Sequence, residues 1–241
     1  MNLRNFALVA FAASALASHV RADDKPVSFL RTYKEGTVTT FKVVINASVM
    51  GMDIVVKTGQ KVTVKSVKKD GTAVFDIAPQ ATVITVGGND MDQEAAKPVS
   101  ETRDKYNKLV EYKSDQPDGF MAPEIRKLIL SGSEVIFSEK AVKPGDSWET
   151  ELDNPALPAK KFKVKTTYVG SDKLEGAEVL KLKQTFTTET SKEGDKVTVE
   201  ATFLLDATTF ETLQVDGTSK DLPTQIGPLT MTMKTTKVTK K

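Results

Sequence analysis

The 241-residue chain contains no cysteine, and its single histidine is His19. Without cysteine there can be no disulfide, no thiolate nucleophile and no lipid-acceptor cysteine. Zinc and copper sites in proteins are built mainly from cysteine and histidine side chains. The composition therefore predicts no metal site and no bound cofactor, and the fold must be stabilised by its own apolar core.

The first residues have the pattern of a secretory signal peptide. An uncharged, mostly apolar run at 5–18 follows a basic residue, and small side chains stand at Val20 and Ala22. The run is shorter than the roughly 20 residues that a membrane-crossing helix needs. We therefore predict a signal peptide at 1–22, a mature chain that begins at Asp23, and export to the periplasm or the extracellular space.

Removal of this leader would change both the charge and the chemistry of the chain. Arg4 and Arg21 leave with it, so 32 of the 34 Lys and Arg residues face 32 Asp and Glu residues. A near-neutral surface argues against nucleic acid as a partner. His19 leaves as well, so the mature protein has no imidazole to act as the general base of a serine hydrolase.

That absence decides between two interpretations of "KPGDSWET" at 143–150, which contains the only tryptophan, Trp148. Some serine esterases place Gly-Asp-Ser at their nucleophile, which would make Ser147 catalytic. Without a histidine to accept its proton, the serine stays inert. We therefore predict no catalytic residue, a tight turn at 144–146, and a strand that begins near Trp148 with the ring pointing inward.

Period-two alternation dominates the mature chain. Apolar or threonine residues alternate with lysine or threonine at 61–67, 161–169, 196–205 and 229–238. This pattern is typical of strands with one buried face and one solvated face. Short connections that contain glycine, such as "KKDG" at 68–71, favour antiparallel hairpins.

The clearest helical segment is 122–131, where Ile125, Leu128 and Ile129 form one apolar stripe. We expect Gly132 to end this helix. About ten residues make only a marginal helix in isolation. The stripe is therefore expected to pack on an apolar sheet face.

The mature chain is predicted to be a single β-rich domain at 23–241. Two stretches, 61–77 and 163–182, share the order of a lysine-alternating strand, a glycine turn and a more apolar strand. This internal similarity is the basis for an alternative prediction, in which two similar lobes are joined near 114–143.

The polar segment at 87–96 predicts a loop. Asp90, Asp92 and Glu94 alternate within it, loosely as in a calcium-binding loop. Such a loop needs glycine at its sixth position, where Ala95 stands. The segment is therefore interpreted as a solvated acidic loop without a metal.

Five short motifs resemble a family of uncharacterised secreted bacterial β-rich proteins. They are "YKEGTVTTFKV" at 33–43, "GMD" at 51–53, "TRDKYNKLVEY" at 102–112, "PEIRKL" at 123–128 and "VKPGDSW" at 142–148. That family has no assigned reaction, so the resemblance implies no catalytic residue. The outline is also similar, at the level of the fold, to the periplasmic lipoprotein-carrier proteins, which implies a curved sheet around an apolar groove.

These observations predict a mainly all-β fold, with a curved antiparallel sheet or incomplete barrel and one short helix over its concave side. The predicted function is non-enzymatic binding of an apolar or lipid-like ligand in that concave face. The alternatives are an extracellular scaffold with a filled core that binds another envelope protein, and a carboxylate-dependent hydrolase. The predicted ligand-binding residues are Phe41, Val43, Val62, Val64, Phe162, Val164, Phe203 and Met231.

Overall fold

The computed structural model describes residues 25–49, 52–115, 122–191, 193–224 and 227–238. The predicted signal peptide at 1–22 lies outside the described residues. The described residues form thirteen strands and one helix. The strands are β1 (Val38–Val49), β2 (Met52–Val67), β3 (Ala73–Pro79), β4 (Thr82–Val86), β5 (Asn89–Gln93), β6 (Val99–Arg103), β7 (Leu109–Ser114), β8 (Ser147–Asp153), β9 (Lys161–Leu174), β10 (Ala177–Glu189), β11 (Lys196–Asp206), β12 (Thr212–Thr224) and β13 (Gly227–Lys237), and the helix is α1 (Pro123–Ser133).

The strands form one large antiparallel sheet in the order β7-β6-β3-β2-β1-β13-β12-β11-β10-β9-β8. The hairpin β4–β5 branches from the first part of β2. β1 joins the two halves of the sheet, because it pairs with β2 on one side and with β13 on the other. The predicted fold class is confirmed: the sheet is open, and it does not close into a barrel within the described residues.

The sheet wraps around α1. The helix contacts β7 near one end of the strand order and β10 and β11 near the other. β7 and β11 are seven strand steps apart, which in a flat sheet would place them about 34 Å apart at about 4.8 Å per step. An eleven-residue helix is only about 16 Å long. The sheet must therefore curve strongly for one short helix to contact both of its sides.

The helix packs its predicted stripe on the sheet, but it ends later than expected. Ile125 and Leu128 are buried as predicted. Gly132 does not end the helix, which continues to Ser133. A Cβ atom at Gly132 would lie 2.4 Å from Cε1 of Phe186, so this glycine is required by close packing on β10. The prediction was wrong because a packing requirement in the helix and a helix-ending signal look the same in a sequence.

The segment at 87–96 is a second correction, because it is not only a loop. β5 occupies Asn89–Gln93 and pairs with β4 in an antiparallel hairpin. Gly87 and Gly88, both with positive φ, make the turn between the two strands. All the side chains of β5 are exposed. A strand without a buried face lacks the apolar alternation by which strands are predicted from sequence.

The residues before β1 supply part of the core. Phe29 is fully buried, with ring centroids 5.7 Å from Phe137, 5.3 Å from Tyr168 and 5.3 Å from Phe210. The backbones of Val27 and Val142 exchange two hydrogen bonds, of 2.8 and 2.9 Å. The start of the described chain is therefore an integral part of the fold.

We expect Phe29→Ala to lower the free energy of unfolding by about 3–5 kcal/mol, because it removes a fully buried ring from a packed aromatic cluster. Urea unfolding would measure this loss. Leu30→Ala is the matched control, since Leu30 is 53% exposed and should cost at most about 0.5 kcal/mol. Equal losses for the two variants would show that this segment does not contribute to the core.

Candidate functional site

A cavity of about 280 Å³ lies between α1 and the concave face of the sheet. Ile129, Leu130 and Ser133 of α1 line it from the helix side. Its sheet side is apolar over most of the area. The apolar lining residues of the sheet are Phe41, Val43, Val62, Phe75, Ile77, Val199, Ala201, Val215, Met231 and Met233.

One end of the cavity is polar and carries a buried ion pair. Arg103 donates to Oε2 of Glu101 from Nε at 2.8 Å and from Nη2 at 2.6 Å. Its Nη1 donates to the backbone carbonyl of Asn107 at 3.1 Å. Glu101 and Arg103 are each only 5% exposed. A buried ion pair is costly unless its hydrogen bonds are made, and here the protein supplies three of them.

Asn107 holds this polar end together from a tight turn, where its φ is +67°. Its Oδ1 accepts a hydrogen bond from the Tyr33 hydroxyl at 3.1 Å, and its Nδ2 donates to the carbonyl of Val135 at 2.8 Å. The Arg31 guanidinium lies 5.1 Å from the centroid of the Tyr33 ring. A left-handed conformation suits asparagine better than most residues.

Glu134 also lies at the polar end of the cavity. We call the polar residues that line this end the Arg103 cluster, which consists of Arg31, Tyr33, Glu101, Arg103, Asn107 and Glu134. Burial raises the pKa of Glu134 above its ordinary value. Attraction to Arg103 opposes this shift, and repulsion from Glu101 adds to it. Burial likewise raises the pKa of Tyr33. The cluster thus contains two guanidinium groups and two carboxyl groups in a poorly hydrated setting.

The cavity is elongated along the strands. Phe75, beside the Arg103 cluster, pairs with Val64 on β2. Met233, at the other end of the cavity, shares a cross-strand row with Val56 on β2. The eight residue steps from Val56 to Val64 correspond to about 26 Å at about 3.3 Å per residue. The cavity is therefore polar at one end and lined by methionine at the other.

An apolar strip continues from the methionine end over the concave face. Met233 pairs with Ile45, Ile45 with Val56, Val56 with Ile84, and Ile84 with Met91. Directly paired residues project from the same face of a sheet. The first four are half-buried and Met91 is 45% exposed. This apolar strip gives the cavity an accessible apolar extension onto β4 and β5.

The buried side-chain amide of Gln184, on β10, fixes the position of the chain segment 132–136, which leaves α1 beside the cavity. Its Nε2 donates to the carbonyls of Gly132 and Glu134 at 2.6 and 2.7 Å. Its Oε1 accepts from the Ile136 N–H and the Thr166 hydroxyl, both at 2.9 Å. All four hydrogen-bonding positions of the amide are used. The chain that leaves α1 therefore has a defined position on the sheet.

Trp148, on β8, also binds the chain segment 132–136. Its Nε1 donates to the carbonyl of Ile136 at 3.0 Å, and its ring packs against the core cluster that contains Phe29. Gly145, with φ +93°, makes the preceding turn. The predicted turn and inward ring are confirmed. The hydroxyl of Ser147 shares a 2.8 Å hydrogen bond with Thr167 and is exposed, away from the cavity.

The predicted ligand-binding residues separate into two groups. Four line the cavity: Phe41, Val43, Val62 and Met231. The other four lie in packed core: Val64 beside Phe75, Phe162 and Val164 beneath α1, and Phe203 in the cluster with Phe29.

The polar end of the cavity was not predicted from the sequence. In the sequence, Arg103 and Asn107 belong to the motif "TRDKYNKLVEY" at 102–112, for which no binding role was predicted. Thr212, at the start of β12, also lines the cavity, and its buried hydroxyl has no hydrogen-bond partner among the described residues. A buried polar atom without a partner is rare in proteins. The available signal was the charged pair at positions 101 and 103, whose alternation places both side chains on one face.

The described part of the chain holds no group of three or more histidine, cysteine or acidic side chains arranged to bind a metal ion. Asp90, Asp92 and Glu94 are exposed. The described residues also include no helix with the length and apolar character needed to span a bilayer.

Comparison with known proteins leaves the family open. No protein-family model matches the chain, and no curated protein matches it. Among solved structures, the fold is similar to a chain described as "Lipid-protein interactions in lipovitellin", with a TM-score of 0.46 and 6% sequence identity. The match covers 87% of this chain but only 25% of the other, so this chain spans about a quarter of its length. Membership in a family of secreted bacterial proteins stays a prediction.

We expect Gln184→Met to lower the free energy of unfolding by at least about 2 kcal/mol, because two carbonyls, one N–H and one hydroxyl would lose their buried partner. Urea unfolding measures the loss. Gln214→Met is the control, since Gln214 makes an exposed bond to Asp216 and should cost at most about 0.5 kcal/mol. A Gln184 variant as stable as this control would show that the amide does not fix the position of segment 132–136.

Glu134→Gln should stabilise the protein increasingly as the pH rises above the ordinary glutamate pKa of 4.5. The folded-state pKa is raised, so the favourable contribution of the protonated carboxyl is complete below pH 4.5 and is lost as pH rises through the folded pKa. Glutamine does not ionise and avoids that loss. Urea unfolding of both proteins over a pH series would measure the difference.

The control is Glu139→Gln, because Glu139 is exposed with an ion-pair partner, Lys108. We expect its effect to stay within about 0.5 kcal/mol across the series. An advantage of Glu134→Gln that shrinks with rising pH would mean that the ionised carboxylate stabilises the fold.

Proposed function

We propose that the protein is an exported, non-enzymatic binding protein for a single-chain apolar or lipid-like molecule, held in the cavity beneath α1. The observation that supports this most strongly is the polarity of the cavity: apolar walls lead from the Arg103 cluster to Met231 and Met233. Ligand pockets are usually mostly apolar with a few convergent polar groups. The apolar strip lets the chain of a ligand extend beyond the enclosed part.

The size of the cavity favours one chain over two. Its volume of about 280 Å³ corresponds to about nine water molecules at about 30 Å³ each. This is close to the lower end of the range for small-molecule pockets, about 300 Å³. A chain of about ten heavy atoms fills that space, and a lipid with two long chains does not fit inside it.

A second function, carboxylate-dependent hydrolysis, is favoured by one observation. Glu101 and Glu134 both line the cavity, and the pKa of Glu134 is raised by burial, as in a general acid. Against this, Oε2 of Glu101 already accepts two hydrogen bonds from Arg103. That oxygen is therefore occupied by Arg103 and is not free to attack a substrate. We therefore place binding ahead of catalysis.

Filling the cavity at Gly217 tests the binding proposal. Gly217 lines the cavity on β12, and a Cβ atom there would meet its nearest neighbours at 3.8–4.0 Å, an ordinary contact. We expect Gly217→Leu to fold normally and to bind a fluorescent fatty acid about tenfold more weakly or worse, because leucine occupies the space of the acyl chain. Fluorescence titration of the exported protein measures this.

The matched control is Asp216→Leu, which adds the same side chain at the adjacent, exposed position and should leave binding unchanged. Binding that is equal in the two variants would place the probe outside the cavity. Absence of binding to the unmodified protein would contradict the proposal. Cleavage of a fatty-acid ester, abolished by Glu134→Gln, would instead favour the hydrolase.

A further inference from the structure

Arg103 has hydrogen-bonding capacity that the described protein does not use. A guanidinium group has five N–H donors. Nε and one N–H of Nη2 bind Glu101, and one N–H of Nη1 binds Asn107. Among the described residues, one N–H on each terminal nitrogen is left without a partner. Arg103 lines the cavity and is only 5% exposed, so these donors lie where water is scarce.

We propose that the Arg103 cluster binds the carboxylate head of a single-chain fatty acid, with both terminal nitrogens of Arg103 donating to it. The acyl chain then follows the apolar wall toward Met231 and Met233. This inference rests on the proposed function, because it names the head group of the ligand whose chain fills the cavity. Paired N–H donors of arginine match the two oxygens of a carboxylate.

Other head groups fit the cluster less well. An ammonium head would lie beside the guanidinium groups of Arg31 and Arg103, and the most accessible acceptor, Glu134, is already attracted to both. A hydroxyl head would offer Arg103 one neutral acceptor in place of two charged oxygens. Hydrogen bonds to a charged group are roughly twice as strong as those between neutral groups.

The two carboxyl groups of the cluster do not prevent anion binding. Glu101 is neutralised by Arg103, with which it shares a 2.6 Å ion pair. Glu134 lies close enough to interact with Arg31 and Arg103, and burial raises its pKa, which favours the uncharged form. Arg31 and Arg103 balance the charges of both carboxyl groups even if Glu134 ionises, so the cluster carries no net negative charge that would repel an anion.

Calorimetric titration with three ligands of equal chain length tests the head group. Decanoate, decanol and decylamine share one apolar chain and differ only in the head. We expect the exported protein, near neutral pH, to bind decanoate about tenfold or more tightly than decanol, the value of one charge-assisted hydrogen bond. Decylamine should bind more weakly than decanol.

A double variant removes the head-group site and keeps the cavity. Glu101→Met with Arg103→Met replaces a buried ion pair by apolar side chains, a change that is often neutral for stability. It should bind decanoate and decanol equally. The control is Glu111→Gln with Lys113→Gln, an ion pair with the same spacing on neighbouring β7, 52% and 67% exposed, which should keep the preference for decanoate.

Glu134→Gln gives a test that does not depend on the folding of the double variant. Because glutamine cannot ionise beside the bound carboxylate, the variant should bind decanoate at least as tightly as the unmodified protein does and leave decanol binding unchanged. Decanol bound as tightly as decanoate by the unmodified protein, or decylamine bound more tightly, would overturn the carboxylate assignment and leave the apolar binding function standing. Absence of binding for all three ligands would overturn the binding function itself.

Discussion

The four hydrogen bonds of Gln184 form the interaction on which the concave side of this protein depends. α1 is too short to be stable by itself, and its C-terminal carbonyls need partners. Gln184 binds the carbonyls of Gly132 and Glu134 and accepts from the Ile136 N–H. The chain therefore leaves the helix in one direction, and Ser133 and Glu134 reach the cavity.

The chain segment that leaves α1, residues 132–136, is also held from the opposite side of the sheet. Asn107, in the turn before β7, donates to the carbonyl of Val135, one residue beyond the last carbonyl that Gln184 binds. These contacts bring the two sides of a curved sheet to one piece of chain. Because these contacts hold the two sides of the sheet at a fixed separation, they set the width of the cavity. The position of α1 over the sheet sets the depth of the cavity.

The concave face is both a filled core and an open cavity, in different places. Beneath α1, Phe162, Val164 and Phe186 pack against Ile125 and Leu128. Beyond the reach of the eleven-residue helix, the segments that carry Phe29 and Phe137 cover another part of the sheet, and the remaining part lines the cavity. Burial of Glu101 and Arg103 in this setting is energetically expensive. Such a pair is therefore weak evidence for a source of stability, and this agrees with the proposal that the Arg103 cluster recognises a ligand.

Much of the fold could be predicted from sequence. Alternation at 161–169 and 196–205 and glycine-containing turns indicate antiparallel strands, and the apolar stripe of 122–131 indicates the helix. Half of the predicted ligand-binding residues line the cavity and half lie in core. Alternation identifies the inner face of each strand but not the neighbours it meets across the sheet. For that reason Val43 and Val164 look alike in the sequence, although one lines the cavity and the other is covered by α1.

The amino-acid sequence by itself determined the strands that have period-two alternation, their inner faces and the helix, because these depend on residue type and local period. It also determined the absence of thiol chemistry and, after the predicted cleavage, of imidazole chemistry. The tertiary structure decided the pairing of β1 with β13, the curvature, the Arg103 cluster and the core position of Phe29. These features join residues far apart in the chain, and their energies come from burial and cross-strand register. No local pattern encodes which distant side chains share a buried space.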